Sequence, residues 1–401
     1  MAVPLTSPTG GTPKLIDSAR GFSAAAQALS AGRGPIAVDT ERASGYRYDE
    51  RAFLIQLRRR DTGTLLLDPE GHRDELREAF APVLNSATWI IHAAPSDLPC
   101  LAQLGLYPAD LFDTELAGRL AGMDHVNLAA MTEDILGYTL SKGHGQEDWS
   151  TRPLPDEWLD YAALDVELLN ELAEAMVEIL DAGGKLDWAV QEFQHIRRLH
   201  APGASSIPPT WVRAKGINGL NRPEQRVVAR ELWLERDRIA RKRDCAVHRI
   251  LKTRTMIEIA RRLPESPRDL TTISGFPKRD ERARARWMSV VDRARRSPRS
   301  SWPKLPEHGS CHVPGRSAMA SYPEVKETLT RARESLSEVA EQVDVPVENL
   351  LAPATLRSTV WNAVETGTIR SVGQLVDHLE GLEARPWQID LTVPVLAREL
   401  L

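Results

Sequence analysis

The chain has 401 residues, 42% of them hydrophobic and 27% charged, which suits roughly two to four domains with sizeable cores. No apolar run approaches the ~18 residues of a transmembrane helix, and Cys100, Cys245 and Cys311 lie too far apart for a disulfide framework or a C-x-x-C zinc site. The net charge of −5 hides an asymmetry: residues 1–210 carry 17 basic against 31 acidic side chains, residues 211–300 carry 25 against 11, and residues 301–401 carry 9 against 14.

The opening MAVPLTSPTGGTPK has neither a basic nor an apolar segment of signal-peptide type. It reads as a flexible leader over 1–15, and a reducing, cytoplasmic compartment with no membrane association is expected. Residues 17–31 are Ala/Leu-rich with a polar start and Gly32 behind them, which predicts a helix. PIAVDTE follows as a first strand. Phe53–Leu57, a turn at Asp61-Thr62-Gly63 and Leu65–Leu67 predict a hairpin. A helix is expected over 73–84, a strand over Thr88–Ala93, a helix opening at Pro95, a strand end running into a helix at LFDTELAGRLAG, and helices over 126–136 and from Pro155 to about Ala182.

A hairpin followed by alternating strand and helix is an α/β pattern with a mixed sheet. No G-x-G-x-x-G follows the first strand, which disfavours a parallel dinucleotide-binding sheet. The Pro/Ser/Gly-rich segments 201–216 and 301–320 read as linkers. They divide the chain into an N-terminal domain over 16–200 and helical domains over 217–300 and 321–401. The two helical regions echo one another: 226–260 can be laid over 329–361, with paired Ile250-Leu251 and Leu350-Leu351. A period near 100 residues means two copies of one helical domain, not a solenoid.

Asp39 and Glu41 in AVDTE stand two residues apart at a strand end, so their side chains share a face. Two such carboxylates cannot relax apart, and a divalent cation is what makes the arrangement favourable. Asp97 follows TWIIHA, Asp113 ends LFD, and Asp165 stands four residues after Tyr161 in YAALD, on one helix face. Together the acids can hold two Mg²⁺ or Mn²⁺ ions for phosphodiester hydrolysis, with the Tyr161 hydroxyl aiming the attacking water. A half-buried core tyrosine and solvated carboxylates are the plain alternative for each residue taken singly.

The stretches AVDTE, FLIQL, IIHAAPSDLPCL, FDTELAGRLAG, KGHGQEDWSTRPL and YAALDVELL, in this order, resemble ribonuclease D. That family belongs to the tyrosine subclass of the DEDD 3′→5′ exonucleases, because the last motif reads Y-x-x-x-D. The resemblance covers nearly all of residues 20–190 and implies a ribonuclease-H-like fold. It implies that Asp39 bridges two metal ions, that Glu41 and Asp165 complete one site, that Asp97 serves the other, and that Tyr161 orients water. It offers Asp113, Gln56, Phe53, Lys142 and Gln146 as supporting or substrate-side residues, and casts His92 as structural.

Residues 222–300 resemble the helicase-and-RNase-D C-terminal (HRDC) domain, a five-helix nucleic-acid-binding module. The basic charge there agrees independently. Arg238, Arg241, Lys242, Arg243, Lys252 and Arg254 are its candidate contacts. The second copy is acidic and expected to be HRDC-like in fold. The implied activity is 3′→5′ exoribonuclease trimming of structured RNA such as tRNA precursors, releasing nucleoside 5′-monophosphates. A DNA exonuclease of the same superfamily is the alternative, and a non-catalytic nucleic-acid-binding protein a third.

Overall fold

A computed structural model describes residues 2–141, 143–204, 210–277, 279–303, 313–315 and 318–401. The chain forms two compact units. One contains residues 1–41, 51–204 and 312–401; the other contains residues 42–50 and 205–311.

In the first unit, β1 (Val3–Leu5), β2 (Leu15–Ile16), β3 (Arg33–Arg42), β4 (Ala52–Arg60), β5 (Gly63–Leu67), β6 (Thr88–Ile91), β7 (Asp110–Asp113) and β8 (Tyr138–Leu140) make two sheets. Six strands lie in the order β2-β5-β4-β3-β6-β7, and β1 pairs with β8. The β4–β5 hairpin is antiparallel, whereas β3, β6 and β7 run parallel, so the expected mixed sheet is present. Ile36, Ala37 and Val38 in β3 are all fully buried, as befits a central strand covered on both faces. The helix Ala19–Ala31 starts at Ser18, whose hydroxyl accepts from the Gly21 N–H. It packs on the helix Arg73–Leu84 through an edge-on Phe22–Phe80 pair.

Two expectations change here. Part of the supposed flexible leader is ordered: Val3–Leu5 adds a parallel strand to Tyr138–Leu140, a pairing that no local pattern signals. The helix expected from Pro155 to Ala182 is two helices, Asp156–Glu167 and Leu169–Ala182, because Leu168 leaves helical geometry at φ −114°.

The C-terminal helices Pro323–Gln342, Val347–Leu350, Pro353–Val364, Val372–Gly381 and Pro386–Leu400 belong to the same unit as the sheet. Trp188 stacks on Trp387 at 5.0 Å between ring centroids. Glu192, 7% exposed, accepts from Arg385 Nε at 2.6 Å and from Trp387 Nε1 at 2.9 Å. A buried indole and a partly buried guanidinium meeting one buried carboxylate fix the orientation of this last helix.

The second unit has the helices Pro223–Arg243, Val247–Ile250, Thr253–Arg262, Pro267–Thr272 and Glu281–Arg296. Its core is built from Val228, Leu232, Ile259, Leu270, Trp287 and Val291. Residues 42–50 pack on it: Ala246 N–H donates to the Tyr46 carbonyl at 3.0 Å, and the Tyr48 hydroxyl donates to Asp237 at 2.7 Å. The Arg249 guanidinium lies 4.5 Å from the Tyr46 ring centroid.

Candidate active site

The registers Ile36↔Trp89 and Ile91↔Asp113 bring the carboxyl ends of β3, β6 and β7 to one edge of the sheet. Such an edge is where ligands bind in α/β folds. Asp39 and Glu41 lie at the end of β3. Asp165 comes from the helix Asp156–Glu167. One carboxylate oxygen from each of the three lies within 4.8 Å of the others. Glu41 is only 7% exposed. Three converging carboxylate oxygens are the donor set for a hard divalent cation, and without one they repel in poorly hydrated surroundings. Burial pushes the Asp165 carboxyl up to about 7; a hydrogen bond from Tyr161 opposes the rise and the charge of Asp97 adds to it.

Asp97 stands beside this trio and is fixed separately. It is 3% exposed, and the Thr40 hydroxyl donates to its Oδ1 at 2.5 Å. Thr40 therefore anchors the fourth acid from within the same AVDTE stretch that supplies two of the others. Its role was not read from the sequence, although its alternation with Asp39 and Glu41 placed it on the opposite face of β3.

Asp113 does not join the cluster; it shapes the approach to it. Its carboxylate accepts from Glu115 N and Leu116 N, capping the helix Thr114–Leu120, and from Ala93 N at 3.1 Å and Ala94 N at 2.8 Å. Ala93 has φ 61°, a left-handed conformation that strains a residue with a Cβ, and these two bonds hold it just before Asp97. Burial raises Asp113 to about 6 despite the four donors. The neighbouring His92 bonds Thr114 Oγ1 through Nδ1 at 2.9 Å, and burial lowers its pKa to about 4, so it is neutral at pH 7.

Tyr161 lies four residues before Asp165, one turn back on the same face, and donates to it. Burial and the charges of Asp165, Glu41 and Asp39 raise the phenol far above its ordinary value, so it remains protonated. Its ring meets His144 edge-on at 5.7 Å and Trp149 at 6.5 Å. Trp149 is fully buried and donates from Nε1 to the His144 carbonyl at 3.1 Å. Arg152 makes a two-pronged ion pair with Asp68 at 2.6 and 2.7 Å and also donates to the Phe53, Trp149 and Thr151 carbonyls. The segment around D-W-x-x-R-P-L thus braces the tyrosine. His144 went unremarked between the two candidates Lys142 and Gln146. Gln146 is exposed, and Lys142 lies outside the described residues.

Phe53 and Gln56, offered as supporting or substrate-side residues, are 1% and 0% exposed inside β4. That burial closes both to a nucleotide, and the Gln56 amide has no hydrogen-bond partner. The basic candidates in the second unit divide. Arg238 is paired with Glu235 at 2.7 Å, and Arg241 lies over the Tyr48 ring at 5.3 Å. Lys242, Arg243, Lys252 and Arg254 are exposed.

Comparisons with known proteins agree with this geometry. Residues 13–181 match a family model described as 3′-5′ exonuclease, and residues 225–290 match one for the HRDC domain. Residues 314–400 match a different model, described as 3′ to 5′ exonuclease C-terminal domain, so one HRDC domain is found where two were expected. The chemistry of the two regions differs as well: the final turn of Pro323–Gln342 holds no basic residue, where that of Pro223–Arg243 holds Arg241, Lys242 and Arg243.

Ribonuclease D of Acidiphilium cryptum is 30% identical over 67% of this chain and 68% of its own length. That of Bartonella henselae is 29% identical over 61% of this chain, the match spanning 60% of the relative. A crystal structure of a protein from Bifidobacterium adolescentis superposes over 100% of both chains with TM-score 0.83 and 32% identity. Escherichia coli RNase D, described as an exoribonuclease involved in structured RNA processing, shares the fold at TM-score 0.73 and 22% identity over 97% of this chain and 98% of its own. The motifs at the sheet edge, the family models and the shared identity converge: the chain belongs to the ribonuclease D family of 3′→5′ exoribonucleases.

Proposed function

We propose that this protein shortens structured RNA from the 3′ end, tRNA precursors among its substrates, using two divalent ions (Mg²⁺ or Mn²⁺) and releasing nucleoside 5′-monophosphates. The observation that carries the reading is the convergence of Asp39, Glu41 and Asp165 within reach of the Tyr161 hydroxyl. Asp39 lies between the other acids in role: it would share both ions, with Glu41 and Asp165 completing one site and Asp97 the other. Bound there, the ions would supply an activated water and neutralise the charge developing on the leaving 3′-oxygen.

The remaining steps belong to the chain. Tyr161 stays a phenol and acts by hydrogen bonding: its hydroxyl can turn from Asp165 to hold the attacking water in line. Thr40 keeps Asp97 from swinging away when a cation draws on it. The Arg152 hub and Trp149 keep the tyrosine ring from relaxing outward. The basic helical unit holds the body of the RNA through its phosphates. Five acidic or phenolic groups in the right order make a decayed, purely binding protein the weaker reading.

The test uses a 5′-labelled RNA with a 3′ tail and a matched DNA, each with Mg²⁺ or Mn²⁺ and with EDTA. A metal-dependent ladder, one nucleotide at a time from the RNA 3′ end, is expected. Equal shortening of the DNA would make this an exonuclease indifferent to the sugar, since the metals read phosphate and only contacts to the 2′-hydroxyl tell RNA from DNA. No shortening of either would refute the catalytic reading.

A further inference from the structure

The last helix of the basic unit, Glu281–Arg296, runs into Arg299–Ser301 and Trp302. Two cavities lie along it, of about 550 and 650 Å³, and they share Asp292, Arg296 and Ser297. They therefore adjoin along the helix and make up one grooved surface. Its basic side chains are Arg293, Arg296 and Arg299, all exposed, with the half-buried Arg295 beside them. Arg295 is already committed to Glu224 at 2.9 Å. Among the described residues, Arg293 and Arg296 form no ion pair, while Arg299 stands 5.9 Å from the Trp302 ring centroid.

Trp302 is held at one end of the groove. Its Nε1 donates to the Ser297 carbonyl at 3.1 Å and to the Ser297 hydroxyl at 2.9 Å, so the indole cannot swing freely. It is partly buried, packed against the core of the unit. At the other end the groove is floored by Met288 and Ala285. Among the described residues that line it, the acids are Asp292 and Glu224, the second already paired with Arg295.

Three guanidiniums along a groove with a fixed aromatic ring at one end match a chain of regularly spaced anions carrying flat bases. A folded acidic protein offers no base to stack on Trp302. A blunt duplex hides its bases and would leave the ring unused. We propose that this groove binds single-stranded RNA, its phosphates on Arg293, Arg296 and Arg299 and one base stacked on Trp302. The inference rests on the reading of RNA as substrate, and it moves the principal RNA contact away from the basic residues first suggested by sequence, two of which, Arg238 and Arg241, are engaged with neighbours.

The experiment measures fluorescence anisotropy of the full chain with a labelled 20-nucleotide single-stranded RNA in EDTA, where no cleavage is expected, over a range of salt. The variants are Arg296→Ser/Arg299→Ser and Trp302→Leu, with Lys242→Ser/Arg243→Ser for comparison. The arginine pair should weaken binding about ten-fold or more and flatten the log–log salt slope by about 1.4, the release expected for two phosphate contacts. Trp302→Leu should weaken single-strand binding about ten-fold while leaving a blunt duplex unaffected. Hydrolysis of a dinucleotide with Mg²⁺, which has no body to hold, should stay within two-fold of wild type for the arginine pair.

Unchanged single-strand affinity in the arginine pair would overturn the proposal, as would a larger loss in Lys242→Ser/Arg243→Ser. Because binding is measured without metal, the groove can fail while the wild type still shortens RNA, and the catalytic reading can fail while the groove still binds. If Trp302→Leu misfolds by circular dichroism, the exposed arginine pair alone decides.

Discussion

Asp113 gives a sharp test of how burial and hydrogen bonding divide control of this site. Its carboxyl is raised from the ordinary 3.8 to about 6 by burial. The folded state therefore binds its proton more tightly than the unfolded chain does. Its contribution to stability is fully present below 3.8 and is lost as pH rises through 6. The whole difference amounts to about 3 kcal/mol, of which about 1 kcal/mol falls between pH 7 and pH 5. Asp113→Asn is neutral throughout. It keeps one oxygen for Ala93, Glu115 and Leu116, but turns an N–H₂ towards the Ala94 N–H, at about 1–2 kcal/mol.

Stability of wild type and Asp113→Asn should be measured by urea unfolding at pH 5, 6 and 7. Wild type minus variant should grow by about 1 kcal/mol on acidification from pH 7 to 5. Wild type alone would not show this cleanly. His92, lowered from 6.5 to about 4, loses stability as pH falls through the same window, and only the difference between two chains that both carry it cancels that loss. A difference that stays flat or shrinks would refute the reasoning, and would mean that the four N–H donors hold Asp113 ionised at its ordinary pKa.

Four further outcomes follow from the geometry. Asp39→Asn should abolish RNA shortening yet raise the melting temperature in EDTA, since it relieves about 1–2 kcal/mol of repulsion among three carboxylates; a lower melting temperature would contradict the crowding. Tyr161→Phe keeps the ring contacts with His144 and Trp149 and should lower kcat about 10²-fold with KM little changed, as single-turnover assays would show. Glu192→Gln leaves the Arg385 guanidinium, 17% exposed, without its anion and should destabilise the first unit by about 3 kcal/mol in urea, with Glu192→Gln/Arg385→Met recovering part of the loss. Gly122 has φ +81°, and a Cβ there would fall 2.8 Å from the Asp344 backbone oxygen and nearer still to its carboxylate. Gly122→Ala should cost about 2–3 kcal/mol by the same measurement.

The site was more legible than the fold around it, for a reason of scale. Asp39 with Glu41 and Tyr161 with Asp165 are spaced by two and by four residues, the periods that put side chains on one face of a strand or a helix. Local pattern suffices there. Asp97 was legible as an acid in the right place, but not the Thr40 hydroxyl that fixes it, because that bond spans 57 residues. Phe53 and Gln56 do lie on the strand beside AVDTE, but their burial was not legible, because a strand central to a mixed sheet buries both of its faces and sequence alone does not say which strand is central. The β1–β8 pair was missed because three-residue strands carry no usable period. The membership of the last helices in the first unit rests on Trp188–Trp387 and Glu192–Arg385, pairs about 200 residues apart.

The two helical regions match different family models, yet they share one turn. After the long helices Pro223–Arg243 and Pro323–Gln342, Asp244 and Asp344 take the same left-handed conformation, φ 44° and 49°, 100 residues apart. Backbone bonds then repeat in step: Cys245 N to Ala240 O and Val345 N to Ala340 O, Leu251 N to Val247 O and Leu351 N to Val347 O. A four-residue helix follows in each, Val247–Ile250 and Val347–Leu350. The turn thus recurs as a backbone device while its side chains differ. In the basic region it receives residues 42–50, with Arg47 on Asp244 at 3.3 Å. In the acidic region it receives Lys185, whose ammonium donates to the Asp344 carbonyl at 2.9 Å. The same turn thus makes contacts in both regions, while the last helix of each differs. Glu281–Arg296 carries arginines along a groove, Arg293 and Arg296 among them. Pro386–Leu400 instead brings Trp387 to Glu192 and belongs to the unit that carries the acidic site.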